Sequence, residues 1–320
     1  MSKKSMAERR QAAAAGGPRN GRPAPRSNRG GAQYRRSGKG SSGRPWGLIA
    51  AIGGVVAVFL VVIIALELTS GPVGQDTQVL PAPASVVAAV THIPTKNLDQ
   101  VGTGDVNNPP QPIKVSTPKL SLNGKPEMLY IGAEYCPYCA LLRWSLVGAL
   151  SRFGKFSNLK IIRGSATDSA GQNIATFTFA HGVSYSSPYL AFVSREMYSN
   201  VPDAKSPSGY APFQTLTKQE SQIFSTVGTP PGASGPGFPF VDYGGLSAQI
   251  GTESSAPGPT GLQGYSWQQI ASFLSKPSST PAKMILGGVN YDTAAICQLT
   301  GNKPGSVCNT SLIKQLEKTT

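Results

Sequence analysis

A run of twenty apolar residues constrains this chain more than any other feature. Gly47–Leu66 contains no charged residue, and at ~1.5 Å of rise per residue a helix of that length matches a hydrocarbon core ~30 Å thick. A buried globular helix would need a polar face, which this run lacks, and the apolar part of a cleaved signal peptide is shorter, at ~7–15 residues. We therefore predict a transmembrane helix over residues 46–68, with Trp46 at the membrane interface.

Most of the positive charge of the chain lies before this run. Residues 1–45 carry twelve Lys or Arg and one acidic residue, so they account for +11 of the net charge of +14. The positive-inside rule places this tail, whose Gly, Ala, Ser, Pro and Arg content predicts disorder, in the cytoplasm beside anionic lipid. The sequence thus predicts a single-pass cell-membrane protein with an extracytoplasmic C-terminal domain. Because the rest of the chain is nearly neutral, we expect no nucleic-acid partner.

Beyond the apolar run the composition changes twice. Residues 69–118 are rich in Pro and Gly and predict a linker with one short ordered piece near 85–101. Residues 119–320 predict one α/β domain with an insertion at about 200–236 and a C-terminal segment that carries a cysteine pair. Within it the patterns indicate a hairpin at 119–133, helices at 136–153, 217–228 and 266–274, and strands at 159–164, 176–179, 189–194 and 238–243.

The motif Cys136-Pro137-Tyr138-Cys139 lies where a predicted strand meets a predicted helix. A helix N-terminus favours an anion, and the thiolate is the reactive form of cysteine. The spacing lets the second sulfur reach the first within one helical turn, so Cys136 would attack and Cys139 would resolve the mixed disulfide. A zinc site would need two more ligands at suitable spacing, which the sequence lacks, so we expect no metal. No organic cofactor is expected either, because the dithiol carries the electrons.

The residues around the motif resemble known families. Leu129–Cys139, LYIGAEYCPYC, resembles the active-site segment of thioredoxin-like oxidoreductases, and its Pro-Tyr pair is similar to that of glutaredoxins. Together with FPFVDYGG, SWQQIASFL and ICQLTGN, the segment resembles a prokaryotic, membrane-anchored thioredoxin-like family labelled domain of unknown function 929, from Lys119 to the C-terminus. This resemblance implies a thioredoxin-like α/β fold, with a central mixed sheet flanked by helices. It also implies an activity on protein cysteines.

Further site residues are expected from the resemblance and from their position next to the motif. The family has a cis-proline facing its cysteine pair, and Ser187-Pro188 before a strand is expected to fill that place. Glu134 either shapes the active site and moves protons or is an exposed loop acid, and Tyr138 either contacts substrate or fills a turn. Thioredoxin keeps a buried carboxylate where this chain has Tyr130, and a tyrosine of ordinary pKa is not a base near neutral pH.

Cys297 and Cys308 form a second pair, eleven positions apart. An even number of cysteines is typical of an oxidising compartment. The pair predicts either a structural disulfide that closes a short loop or a relay that exchanges electrons with the CPYC motif. Both alternatives remain open at the level of sequence.

The function that these features predict is a membrane-anchored, extracytoplasmic thiol–disulfide oxidoreductase. Its expected substrates are protein thiols and disulfides, and an electron-transfer partner in the membrane would reset the dithiol. The alternative is a binding or scaffold protein of the cell envelope that keeps the same fold with the cysteine pair locked as a disulfide. The sequence does not distinguish oxidase, isomerase and reductase, because the direction depends on the reduction potential.

Overall fold

The computed structural model describes residues 74–230 and 232–320. The predicted cytoplasmic tail and the predicted transmembrane helix at 46–68 lie outside the described residues. Among the helices within those two ranges, none is both long enough and apolar enough to span a membrane.

Short strands and helices alternate along the described chain. The strands are β1 (Leu80–Pro81), β2 (Gln111–Pro112), β3 (Ser121–Leu122), β4 (Lys125–Gly132), β5 (Lys155–Ser157), β6 (Lys160–Arg163), β7 (Ala175–Thr178), β8 (Ser184–Ser186), β9 (Ala191–Glu196), β10 (Tyr198–Pro202), β11 (Tyr210–Pro212), β12 (Phe240–Tyr243) and β13 (Ser247–Ile250). The helices are α1 (Ala84–Thr91), α2 (Thr95–Val101), α3 (Pro137–Leu150), α4 (Lys218–Val227), α5 (Trp267–Phe273), α6 (Thr280–Leu299), α7 (Gly305–Cys308) and α8 (Ser311–Leu316).

A mixed sheet forms the centre of the fold. Within the described residues it has six strands, with β4 between the antiparallel β12 and the parallel β9, and with β3, β13 and β2 completing it. The predicted turn at Asn123-Gly124 joins β3 to β4, and both residues have positive φ, at 53° and 73°. That conformation suits a tight hairpin, because Asn and Gly tolerate the left-handed region.

Alternate residues of β4 pack on opposite faces of the sheet. Met128 and Tyr130 join the large core that α3 and α6 cover. Leu129 and Ile131 join a smaller core with Ile223 of α4. Because both faces are covered, the strand reads as a continuous apolar run rather than an alternating one.

The longest helix among the described residues, α6, was not predicted. We expected the helix at 266–274 to close the domain, and that helix is present as α5. It is α6, however, that packs across α3, where Gly148 leaves room for Val289. Ser279 caps its N-terminus and Pro281 lies in its first turn, which are ordinary start signals of a helix.

The prediction of a linker over residues 69–118 was wrong for the described part, from 74 onward. The ordered piece expected near 85–101 is present as α1 and α2, but Val86 and Leu98 are buried in the core. In addition, β1 pairs with β6 and β2 pairs with β13. Proline was misleading here because Pro83 and Pro94 stand directly before the two helices, where a proline is tolerated.

The insertion at about 200–236 contains the predicted helix. Thr217 and Glu220 form both bonds of a capping box, and Gly228 is the C-cap of α4. Before this helix, β10 and β11 pair as a separate two-stranded sheet. Elsewhere in the chain, β1, β6 and β7 form a separate three-stranded sheet. The described chain is therefore a mixed α/β fold with helices on both faces of its main sheet.

Candidate dithiol active site

The CPYC motif joins the centre of the sheet to α3. Strand β4 ends at Gly132, and Cys136 is the N-cap residue of α3. Its Sγ accepts a hydrogen bond of 3.3 Å from the backbone N–H of Cys139, which satisfies one of the free donors of the first turn. Pro137 takes the first helical position, where its missing N–H leaves no bond unmade. Both cysteines are free thiols.

The two sulfurs differ in access to solvent. Cys136 is 6% exposed, whereas Cys139 is completely buried. A substrate sulfur can therefore reach Cys136 first. Cys139 is placed to react with its neighbour in the helix.

The two sulfurs also differ in acidity. Burial opposes the charge of Cys136, but hydrogen bonds from the Cys139 thiol and from the Cys139 and Tyr138 backbone, with the charge of Arg143, outweigh it and lower the pKa of Cys136. Burial and the hydrogen bond to Cys136 hold the pKa of Cys139 well above its usual value. This division suits a nucleophile at Cys136 and a resolving thiol at Cys139.

A buried ion pair lies beside the motif and was missed by the sequence reasoning. Arg143 of α3 donates from Nε and Nη2 to the two carboxylate oxygens of Glu196, at 2.9 and 2.7 Å. Its Nη2 also donates to the carbonyl of Ala133, at 2.7 Å. Both charged side chains are completely buried. The available signal was Arg143 itself, a charge at helical spacing from Cys139 within an apolar helix.

Tyr130 lies in the core, as part of β4. Its hydroxyl has no hydrogen-bond partner among the described residues. Burial holds the pKa of Tyr130 well above its usual value, with Arg143 opposing this effect. The prediction that this position supplies no base near neutral pH therefore agrees with its surroundings.

Aromatic side chains surround the cysteine pair. Tyr135 stacks on Tyr210 with ring centroids 4.2 Å apart. Tyr135, Tyr198 and Phe238 pack against the cysteines, and Tyr138 within the motif is 38% exposed. The side chains that surround Cys136 are therefore largely aromatic.

Glu134 is not an exposed loop acid, so that interpretation was wrong. Its side chain is 1% exposed. Its Oε1 accepts a 2.6 Å hydrogen bond from the Thr178 hydroxyl and lies 3.0 Å from Nε2 of His181. The two partners are far away in sequence, on or just beyond β7, which is why the local polar pattern suggested exposure.

The prediction of a cis-proline at Ser187-Pro188 was also wrong. Among the described residues the cis X-Pro bonds are Phe238–Pro239, Ala256–Pro257 and Lys303–Pro304. The Ser187 carbonyl accepts a 2.5 Å hydrogen bond from Lys125 at the start of β4. Because β9 runs parallel to β4, the residues before β9 lie at the opposite end of the strand from Cys136, and the structure does not bring Ser187 and Pro188 into the site.

The second cysteine pair forms the predicted disulfide. Cys297 of α6 and Cys308 of α7 are bonded, with a Cα–Cα distance of 5.5 Å. Both residues are completely buried in the main core. Across the described ranges no group of three or more His, Cys, Asp or Glu side chains is arranged to hold a metal ion.

The comparisons with known proteins give one match. The model of a family described as a domain of unknown function (DUF929) matches residues 111–207, which is less than a third of the chain. The matched range contains the CPYC motif, α3 and β9, and it stops before β12 and the disulfide. The predicted resemblance to this family is thus confirmed for that range. The chain has no significant match among curated proteins or among solved structures.

Proposed function

We propose that the chain is a membrane-anchored, extracytoplasmic thiol–disulfide oxidoreductase that acts on protein cysteines. The observation that carries the proposal is the opposite environment of the two motif thiols. Cys136 sits at a helix N-cap with a lowered pKa, and Cys139 is completely buried with a raised pKa. A purely structural pair of cysteines has no need of this difference.

The architecture supports a thioredoxin-like assignment. A strand in the middle of a mixed sheet runs into the cysteine motif at the start of a helix, and helices cover both faces of that sheet. This is the arrangement that the resemblance of residues 129–139 implies. The chain departs from a minimal version of such a fold by its separate sheet of β1, β6 and β7 and by the insertion that contains α4.

Membrane anchoring rests on the sequence. The apolar run and the basic tail before it favour a single span with the domain outside the cytoplasm. The Cys297–Cys308 disulfide fits an oxidising compartment. Lipid would contact the span and the tail, and the substrates would be proteins.

The proposed reaction is a pair of thiol–disulfide exchanges. The Cys136 thiolate attacks one sulfur of a substrate disulfide, and the other substrate sulfur leaves as a thiolate and takes up a proton. Cys139 then loses its proton to solvent and attacks Cys136, so the Cys136–Cys139 bond forms as the bond to the substrate breaks. The protein loses two electrons and the substrate gains them. The reverse sequence oxidises a substrate dithiol.

A redox titration tests the proposal. The full-length chain, purified in detergent, is equilibrated in glutathione buffers, its thiols are trapped by alkylation, and the state of Cys136 and Cys139 is read by mass spectrometry. We expect the pair to change state between about −270 and −120 mV, the catalytic range, and Cys136 to be alkylated before Cys139. A pair that stays oxidised below about −300 mV, with Cys136 unreactive, would refute the enzyme and favour the scaffold.

A further inference from the structure

Arg143 is a permanent positive charge that acts on the resolving thiol, Cys139. It follows Cys139 by four residues in α3, so the two side chains share one face of the helix. Its Nε and Nη2 are used by Glu196 and by the carbonyl of Ala133. Its Nη1 is buried and has no hydrogen-bond partner within the described residues.

An unpartnered guanidinium donor in a core needs an explanation. A buried donor left unsatisfied costs about 1–3 kcal/mol. The guanidinium centre lies 6.0 Å from the ring centroid of Tyr130. Burial and the hydrogen bond to Cys136 have the largest effects on the pKa of Cys139, and both raise it. The charge of Arg143 lowers this pKa and the charge of Glu196 raises it, each by a smaller amount.

The exchange reaction creates a charge at this place. In the reductive direction Cys139 must become a thiolate to attack Cys136, and in the oxidative direction Cys139 leaves as a thiolate when the substrate attacks Cys136. Cys139 is completely buried, so water solvates its thiolate poorly, and a buried charge without a partner is costly.

We propose that Arg143 is a positioning residue that compensates the charge of the Cys139 thiolate, with Glu196 and the carbonyl of Ala133 holding the guanidinium in place. The proposal rests on the proposed function and assigns the charge compensation for its second step. It differs from catalysis by a buried carboxylate, because here a cation stabilises the thiolate, whereas a carboxylate acts as a base that accepts the thiol proton.

The competing explanation is that the pair only stabilises the fold. Removing one member of a buried ion pair typically destabilises a protein by about 3–5 kcal/mol, because the other charge stays behind. A test must therefore separate an effect on Cys139 from a loss of folding. The titratable or charged groups around Cys139 are Cys136 at the N-cap of α3, Arg143 on α3, Tyr130 on β4, Tyr135 in the connecting loop, Glu196 on β9 and Tyr198 on β10.

Two variants that should move the pH midpoint of Cys139 reactivity in opposite directions make that separation. Glu196→Gln keeps the guanidinium and removes the opposing charge, whereas the double variant Arg143→Gln/Glu196→Gln removes both charges and keeps polar side chains. Arg143→Lys keeps the charge and serves as the matched control. Each full-length variant is mixed in reduced form with oxidised glutathione, and the release of glutathione from Cys136 by Cys139 is timed across pH.

We expect the double variant to slow glutathione release about tenfold at neutral pH and to move the midpoint of its pH profile upward, since one pKa unit corresponds to a tenfold change in thiolate. Glu196→Gln should move the midpoint downward, and Arg143→Lys should stay close to the native chain. A shift in the same direction for both Gln variants, or no shift in either, would overturn the proposal. If the double variant fails to fold, the downward shift in Glu196→Gln remains the deciding result.

A further background separates this inference from the proposed function. In Cys139→Ser chains the glutathione adduct accumulates at Cys136 because nothing resolves it. No adduct there would mean that the oxidoreductase proposal itself has failed. Suppose instead that the adduct forms normally in Cys139→Ser, and that the release rate in chains that keep Cys139 does not change with the charge at residue 143. Only the role of Arg143 would then have failed.

Discussion

Replacing Asp292 with asparagine should stabilise the fold more at pH 8 than at pH 5. Asp292 lies in α6, completely buried, and its Oδ1 accepts a 2.5 Å hydrogen bond from the hydroxyl of Tyr243. Burial raises the pKa of Asp292 from its usual 3.8 to about 7, against the lowering effect of its hydrogen bonds to Tyr243 and Glu253. Burial and the charge of Asp292 likewise hold the pKa of Glu253 well above its usual value.

The sign follows from the direction of the shift. A carboxyl whose pKa is higher in the folded state than in the unfolded chain binds its proton more tightly when folded, so stability falls as pH rises through the folded pKa. Between pH 5 and a folded pKa of about 7, the native chain should lose about 3 kcal/mol, at about 1.4 kcal/mol per pH unit. Asparagine carries no such proton, and its carbonyl oxygen still accepts from Tyr243.

The assay is unfolding of the full-length chain by denaturant at pH 5 and pH 8. We expect the stability of Asp292→Asn relative to the native chain to improve by about 3 kcal/mol between the two values. Asp99→Asn is the matched control, since it neutralises an exposed carboxylate, and it should show no comparable change. If Asp292→Asn loses the same stability at both pH values, then Asp292 is ionised in the folded state and the reasoning is wrong.

Two further predictions concern parts of the fold away from the dithiol. Cys297→Ala/Cys308→Ala should lose about 3 kcal/mol of stability, as expected for a loop of this length, while each folded molecule keeps its thiol-exchange rate in the glutathione assay; intact stability with stalled exchange would indicate a relay instead. Thr217→Ala removes the cap of α4 and should lower the free energy of unfolding by about 1 kcal/mol, measured against Lys218→Ala at an exposed neighbouring position; equal stability of the two variants would contradict the role of the cap.

Features with short-range signals could be predicted from the sequence. The Asn123-Gly124 turn, the capping box at Thr217 and the helix after Pro137 each depend on residues within a few positions of one another. Such patterns are almost independent of the rest of the chain, because their hydrogen bonds close within one turn. The disulfide was predictable for a similar reason, since only one pairing remains once the CPYC thiols are set apart.

Features that depend on distant partners could not be predicted. Glu134 is buried because Thr178 and His181 lie beside it. No residue near Glu134 in the sequence indicates that these two partners are present. Pro188 was placed in the site because the resemblance implies a cis-proline before a strand, and the proline before β9 matches that local pattern at either end of the sheet. Which end it occupies depends on the direction of β9, and that direction is a property of the assembled sheet.

The ion pair of Arg143 lies between these two cases. All residues of α3 except Tyr138 are buried, and a helix that is apolar all round is a core helix. An arginine in such a helix requires a buried acceptor, because an isolated buried charge is not tolerated. The sequence therefore implied a buried acceptor, and the structure supplies it as Glu196, which pairs in register with Gly132 at the end of β4. The charge that acts on the buried Cys139 thiol is thus Arg143 of α3. It does not come from the position of Tyr130, where thioredoxin has its carboxylate.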